Sequence, residues 1–390
     1  MESKLASPWQ QFVEELGISP ALDGPYETLM QGWKTVVGKL MARYAFPPPD
    51  LSVQTEDKIL NGIPTRLYTP PPDVVDPPLA LYFHAGGWVM GSIDEEDGFV
   101  RSLCKLAGTR VLSVGYRLAP EFRFPIPLDD CVKVARSALE MDPARSVCFV
   151  GASAGGNMAF STALALISDG LADRVQGVVA LAPVTVHPDA VSADNKRTRG
   201  EYTSYEENDR LTVNTGSAMR SFFDCYGAPP DDPRLSSLLH PRLGELRRVY
   251  LAVGGADTLR DDVRLMRGAL VELGVPVQCD EYPGYPHFSW LFPSPALREH
   301  QALFLGNLSR GMRWVWEGDD QIGSVVTPGA CQRGKYIDLL IRDGASRHSF
   351  GHQALRIRGL WSTYEQNRIA EIGQFKDIRK SPTSEPYFRS

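Results

Sequence analysis

Ser153 sits at the centre of Gly151-Ala152-Ser153-Ala154-Gly155, between an apolar run (Ser146 to Val150) that reads as a strand and one (Gly156 to Ile167) that reads as a helix. In a chain with 35 glycines, a G-x-S-x-G spacing alone is weak evidence. Between a strand and a helix it has a mechanical meaning. The turn is so sharp that only small residues fit two places either side of the serine, and it lifts the hydroxyl to the edge of a sheet. It also aims the free N–H groups of the next helix at the reacting centre.

A serine hydroxyl is a weak nucleophile near neutral pH and needs a base in hydrogen-bond reach. Asp257 follows the apolar strand Val249 to Val253 and the glycines Gly254 and Gly255. Four histidines come after it: His287, His300, His348 and His352. His287 lies on a Gly/Pro-bounded loop after a strand (Val275 to Glu281), whereas His300 falls inside a helical stretch and the other two in the C-terminal tail. His287 is therefore the expected base and Asp257 its orienting acid. Asp261 and Asp262 are nearby rivals, read instead as acids favoured by the N-terminal dipole of a helix starting near Thr258. The order Ser, Asp, His, each on a loop after a strand, is that of the α/β-hydrolase arrangement and of no other common serine hydrolase.

The tetrahedral oxyanion needs backbone donors. Ala154, directly after the nucleophile, offers one. Gly86 and Gly87, in His84-Ala85-Gly86-Gly87-Trp88 after the strand Leu81 to Phe83, offer others, because a residue without Cβ allows close approach. His84 reads as a brace for this loop. Trp88 reads as core packing or as a pocket wall. A phosphate-cradling loop is the competing reading, but the P-loop lysine and the G-x-G-x-x-G pattern are both missing.

Alternating strands and helices from Leu79 onward imply a mostly parallel sheet with helices on both faces. Residues 1–48 are expected to form a helical cap segment, residues 49–309 the catalytic domain, and residues 310–390 a poorly ordered tail with no visible chemistry. An insertion at about 185–235 is expected to complete the cap. Within it, Met219, Phe222, Phe223 and Tyr226 recur at helical spacing, as a face that packs on the core, lines the substrate site, or does both.

Bulk composition narrows the class. A hydrophobic share of 43% and a charged share of 23% are those of an ordinary globular protein, and a net charge of −6 argues against a nucleic-acid surface. No apolar run reaches the roughly 18 residues of a membrane span, and the first residues lack a signal-peptide core, so a cytoplasmic protein is expected. The six cysteines show no C-x-x-C pair and no zinc spacing, and read as buried thiols. No metal and no cofactor is expected. The expected partner is a small-molecule ester, and the sequence leaves the oligomeric state open.

Taken together, His84 to Trp88, Tyr116-Arg117-Leu118-Ala119-Pro120-Glu121, Gly151 to Asn157, and the pair Asp257 and His287 resemble the hormone-sensitive-lipase group of α/β-hydrolases, from about Leu79 to Leu308. The phrasing is most similar to fungal carboxylesterases of secondary metabolism. The resemblance implies cofactor-free hydrolysis of short or medium acyl esters under a cap built from N-terminal helices and an insertion. Three positions depart from the family pattern: Ala85 replaces the first of three glycines, Ala152 replaces an Asp before the nucleophile, and Thr258 replaces a Pro after the acid. The expected reaction is a serine carboxylesterase reaction with an acyl-enzyme on Ser153. The same triad used for acyl transfer, lactonisation or dehydration, and a non-catalytic binder on the same fold, stand as alternatives. Plant gibberellin receptors are such binders, with the histidine replaced, and the retained His287 argues against that reading.

Overall fold

In the computed structural model, residues 4–318 are described, apart from 143, 144, 193, 199 and 200. Eight strands form one sheet in the order β1-β2-β4-β3-β5-β6-β7-β8. β1 (Gln54–Leu60) and β2 (Ile63–Thr69) form an antiparallel hairpin that also joins β4 antiparallel. Asn61 and Gly62, both at positive φ, close it, as the tight turns of two-residue hairpins require. β3 (Leu79–Phe83), β4 (Arg110–Val114), β5 (Val147–Ala152), β6 (Val175–Leu181), β7 (Val249–Gly254) and β8 (Val277–Tyr282) run parallel.

The parallel strands explain their own composition. β5, β6 and β7 are buried at every position, as expected of strands covered on both faces by helices, which read as continuous apolar runs. β1 is exposed along nearly its whole length and carries charged residues instead.

The sheet is flanked by α3 (Asp97–Ala107), α4 (Ile126–Met141), α5 (Ala154–Ser168), α8 (Arg260–Glu272) and α9 (Arg298–Glu317). α5 follows Ser153 and is buried at all but two of its positions. It is apolar all round because the sheet lies on one side of it and the root of the insertion on another. α9 does not stop near residue 309 as expected. It continues to Glu317 and buries Met312, Trp314 and Val315. Gly306 and Gly311 weaken the helical signal locally, and Gly311 is there for contact: a Cβ on it would meet the Tyr250 ring at 2.3 Å. The rest of the expected tail, with Cys331, His348 and His352, lies outside the described residues.

α1 (Ser7–Leu16) and α2 (Tyr26–Arg43) form the N-terminal segment, and α6 (Ser204–Glu207) and α7 (Gly216–Tyr226) lie in the insertion. The two segments are stitched together. Leu22 N–H donates to Val213 O at 2.7 Å, and Thr215 Oγ1 donates back to Leu22 O at 2.6 Å. Among the described residues no helix is long and apolar enough to cross a membrane. The five described cysteines are all free, with Cys104, Cys131 and Cys148 buried.

Candidate active site

The turn after β5 is as tight as the spacing requires. Ser153 adopts φ 55° and ψ −119°, a strained conformation for a residue with a side chain. The surroundings hold it there. Its N–H donates to Leu181 O at 2.8 Å, and its C=O accepts from Asn157 N–H at 3.0 Å. Gly155 must be glycine, since a Cβ would lie 2.0 Å from Phe83 O. Ser153 is 6% exposed.

Asp257 and His287 meet. Asp257 Oδ2 lies 2.7 Å from His287 Nδ1, and Oδ1 accepts the Leu259 N–H at 2.9 Å. Both groups are buried. With a carboxylate against Nδ1, the proton belongs on that nitrogen and Nε2 is left as the acceptor, the tautomer a general base needs. Ser153 is tied to the same edge of the sheet, because Ala182 N–H, one residue past the Leu181 that holds it, donates to Ala252 O on β7 at 2.6 Å. Among the described residues no hydrogen bond of Ser153 Oγ is seen, and the serine–histidine bond of a general base often forms only with substrate bound.

A serine–histidine contact does exist elsewhere in the chain. Ser289 Oγ lies 2.9 Å from His300 Nε2. Both are buried, the imidazole is stacked on Tyr285 at 3.6 Å, and burial pushes it down to about 4. Ser289 is on no elbow, and no carboxylate is bonded to His300 among the described residues, so this pair braces the loop that carries His287.

The loop after β3 is built around its glycines. Gly86 and Gly87 have φ 116° and 59°. A Cβ on Gly86 would sit 2.1 Å from Met90 O, and one on Gly87 would sit 2.5 Å from the Phe222 ring. None of the described backbone hydrogen bonds outside the regular elements uses the N–H groups of Gly86, Gly87 or Ala154, and no side chain caps α5. Unpaired N–H groups at a buried edge are a ready receptor for an oxyanion.

His84 takes the bracing role. Its Nδ1 donates to Ala85 O at 2.8 Å, its ring stacks on Tyr116 at 4.2 Å, and Tyr116 Oη donates to His84 O at 2.7 Å. Burial pushes the imidazole down to about 4, so it stays neutral at physiological pH. The other half of the brace was not legible in the sequence. Glu96 Oε1 accepts the Ala85 N–H at 3.0 Å, and Oε2 accepts from Tyr82 Oη. Burial pushes this carboxyl up to about 7. In sequence Glu96 is one of four acids from Asp94 to Asp97, with nothing to set it apart from the other three.

Trp88 is core: it is fully buried and stacks on Tyr226 at 4.6 Å. The α7 face packs as expected, with Tyr226 and Phe223 on Trp88 and Phe222 against Gly87. Asp261 and Asp262 have a further role beside the dipole one. They lie in the first turn of α8 but are wholly buried and act as sockets for the insertion. Asp262 accepts from Thr185 N–H at 2.8 Å, Val186 N–H at 3.2 Å and Tyr202 Oη at 2.9 Å, and burial pushes it up to about 7. Asp261 accepts from the N–H groups of Thr203 and Ser204, each at 2.8 Å. Among the described residues no group of three or more His, Cys, Asp or Glu is arranged to hold a metal.

The comparisons with known proteins agree with this geometry. A family model described as alpha/beta hydrolase fold matches residues 80–291. The versiconal hemiacetal acetate esterase of Emericella nidulans is 83% identical over 288 residues, covering 74% of this chain and 100% of the relative. The enzyme of that name from Aspergillus parasiticus is 52% identical over 316 residues, covering 81% of this chain and 100% of the relative. A crystal structure of an esterase from the bacterial hormone-sensitive lipase family superposes with a TM-score of 0.64 at 26% identity, over 80% of this chain and 99% of that one. The chain belongs to the α/β-hydrolase family, in its hormone-sensitive-lipase branch. Within it, the protein is a carboxylic ester hydrolase.

Proposed function

We propose that this esterase cleaves a small acyl group, acetate first, from a hydroxylated secondary metabolite in the cytosol, through an acyl-enzyme on Ser153. The hydrogen bond between Asp257 and His287 carries the reading, because it leaves Nε2 as the acceptor for the serine proton. Ser153 Oγ attacks the ester carbonyl as its proton passes to His287 Nε2. The N–H groups of Gly86, Gly87 and Ala154 hold the oxyanion. The alcohol leaves with the proton from His287, and water, deprotonated by the same imidazole, then releases the acid and frees the serine.

The acyl preference has two supports. The relatives above are named as acetate esterases, and a Pseudomonas putida relative 34% identical over 253 residues is named ethyl acetate hydrolase. Phe222 also packs against Gly87, which on this reading leaves little room beside the carbonyl. The test is a series of p-nitrophenyl esters of increasing chain length against the parent and Ser153→Ala. A steep fall in kcat/KM beyond the shortest esters, abolished with all turnover in the variant, is expected. Equal rates across the series, or an active Ser153→Ala, would overturn the proposal.

A further inference from the structure

The insertion hydrogen-bonds to both loops that carry the proposed acid and base. Asn208, 2% exposed, donates from Nδ2 to the backbone carbonyl of Asp257 at 2.8 Å and reaches Gly255 O at 3.5 Å. Thr212, 3% exposed, accepts the backbone N–H of His287 at 3.3 Å. Its hydroxyl donates to Asn214 Oδ1 at 2.6 Å. An amide oxygen only accepts, so the Thr212 proton is committed to Asn214 and its lone pairs are left for His287. Asn214 is held in turn, its C=O accepting from Thr258 Oγ1 at 2.9 Å, beside the acid. Ser204 Oγ donates to Thr258 O at 2.6 Å.

These contacts add to the backbone bonds that tie the two loops together, Gly255 N–H to Tyr282 O at 2.8 Å and Ala256 N–H to Tyr285 O at 3.1 Å. β7 ends at Gly254 and β8 at Tyr282, so Asp257 and His287 lie beyond the last ladder bonds. Outside the ladder, the Asp257 N–H makes a bond to Gly254 O at 3.3 Å, longer than most. The insertion supplies polar partners to the backbone of each residue, from two side chains four residues apart in one short segment. That segment is anchored at its far end, where the Leu22 backbone pairs with Val213 and Thr215 Oγ1 returns a bond.

We propose that Asn208 and Thr212 are positioning residues for the acid and the base, so that the cap sets the rate of chemistry as well as the choice of substrate. The proposal rests on the Ser153–His287–Asp257 reading above. A loop shift of about 1 Å is enough to cost on the order of 10²-fold in rate when reacting groups lose alignment. Loosening the buckle therefore slows the acyl-transfer step while substrate binding, made elsewhere, is retained.

The experiment is steady-state hydrolysis of p-nitrophenyl acetate by the full chain carrying Thr212→Val, Thr212→Ser, Asn208→Ala or Ser153→Ala, with thermal unfolding recorded for each. Thr212→Val keeps the shape and removes the acceptor. Its kcat is expected to fall about 10- to 100-fold with KM nearly unchanged. Thr212→Ser, which keeps the hydroxyl, is expected to recover most of that loss, a rescue that a purely packing role of the side chain would not give. Asn208→Ala probes the acid loop independently, and decides the matter if Thr212→Val does not fold. Parental kcat in either folded variant, or a change confined to KM or to the unfolding temperature, overturns the proposal. An active Ser153→Ala would sink the triad reading itself. An inactive Ser153→Ala beside fully active Thr212→Val and Asn208→Ala would sink the positioning role alone.

Discussion

The ring of Phe222 fills the space that a side chain on Gly87 would need, with a Cβ there placed 2.5 Å from its Cγ. One helix of the insertion thus sets the clearance over one of the two glycines proposed as oxyanion donors. The other is bounded by backbone, since a Cβ on Gly86 would lie 2.1 Å from Met90 O. Gly87→Ala is expected to lower kcat about 10²- to 10³-fold by displacing a donor, and adding Phe222→Ala recovers part of it. The same addition does nothing for Gly86→Ala, whose obstacle cannot turn away. Kinetics of the four variants on p-nitrophenyl acetate check this, and a fully active Gly87→Ala contradicts it.

Phe222→Ala alone speaks to specificity. Removing the ring opens space beside the carbonyl, so the ratio of kcat/KM for hexanoate over acetate esters should rise about tenfold, the scale of pocket-volume discrimination. An unchanged ratio would show that the ring packs without facing the acyl group.

Asp257→Asn preserves shape but lets the amide favour the wrong tautomer of His287. Turnover is expected to fall about 10⁴-fold, with KM little changed. The comparison is kcat at saturating substrate, and a loss of less than about tenfold contradicts the orienting role.

Glu96 gives a pH-dependent test of the brace. Its carboxyl is pushed up from 4.5 to about 7, chiefly by burial and against the bonds from Tyr82 and Ala85. The folded protein therefore binds this proton more tightly than the unfolded chain does. The stability it contributes is complete below about pH 4.5 and is lost as pH rises through about 7. Glu96→Gln does not titrate. Its unfolding free energy should improve relative to the parent by about 1–3 kcal/mol between pH 4.5 and pH 8. His84 and Asp262 titrate in both proteins and cancel from the difference. Denaturant unfolding at the two pH values measures it, and a constant difference contradicts the assignment.

The elbow, the parallel sheet and the pair Asp257 and His287 were legible because each is written locally: a glycine spacing, an apolar run, a loop after a strand. What escaped was written between distant segments. Glu96 binds a backbone N–H across a loop, and nothing in an acidic helix start marks which acid will be buried. Asp261 and Asp262 obey the dipole rule by position, yet their partners lie some sixty residues earlier (Asp262 to Tyr202, a separation of 60). α9 outran its expected end because Gly311 answers to the Tyr250 ring rather than to helix propensity.

The central claim is that Ser153 forms the covalent intermediate, and the most direct measurement is to map the site of a fluorophosphonate adduct by peptide mass spectrometry. The account predicts a single adduct on Ser153, lost in Ser153→Ala. An adduct on Ser289, which has its own histidine at 2.9 Å, or an unlabelled Ser153 in active enzyme, would contradict it.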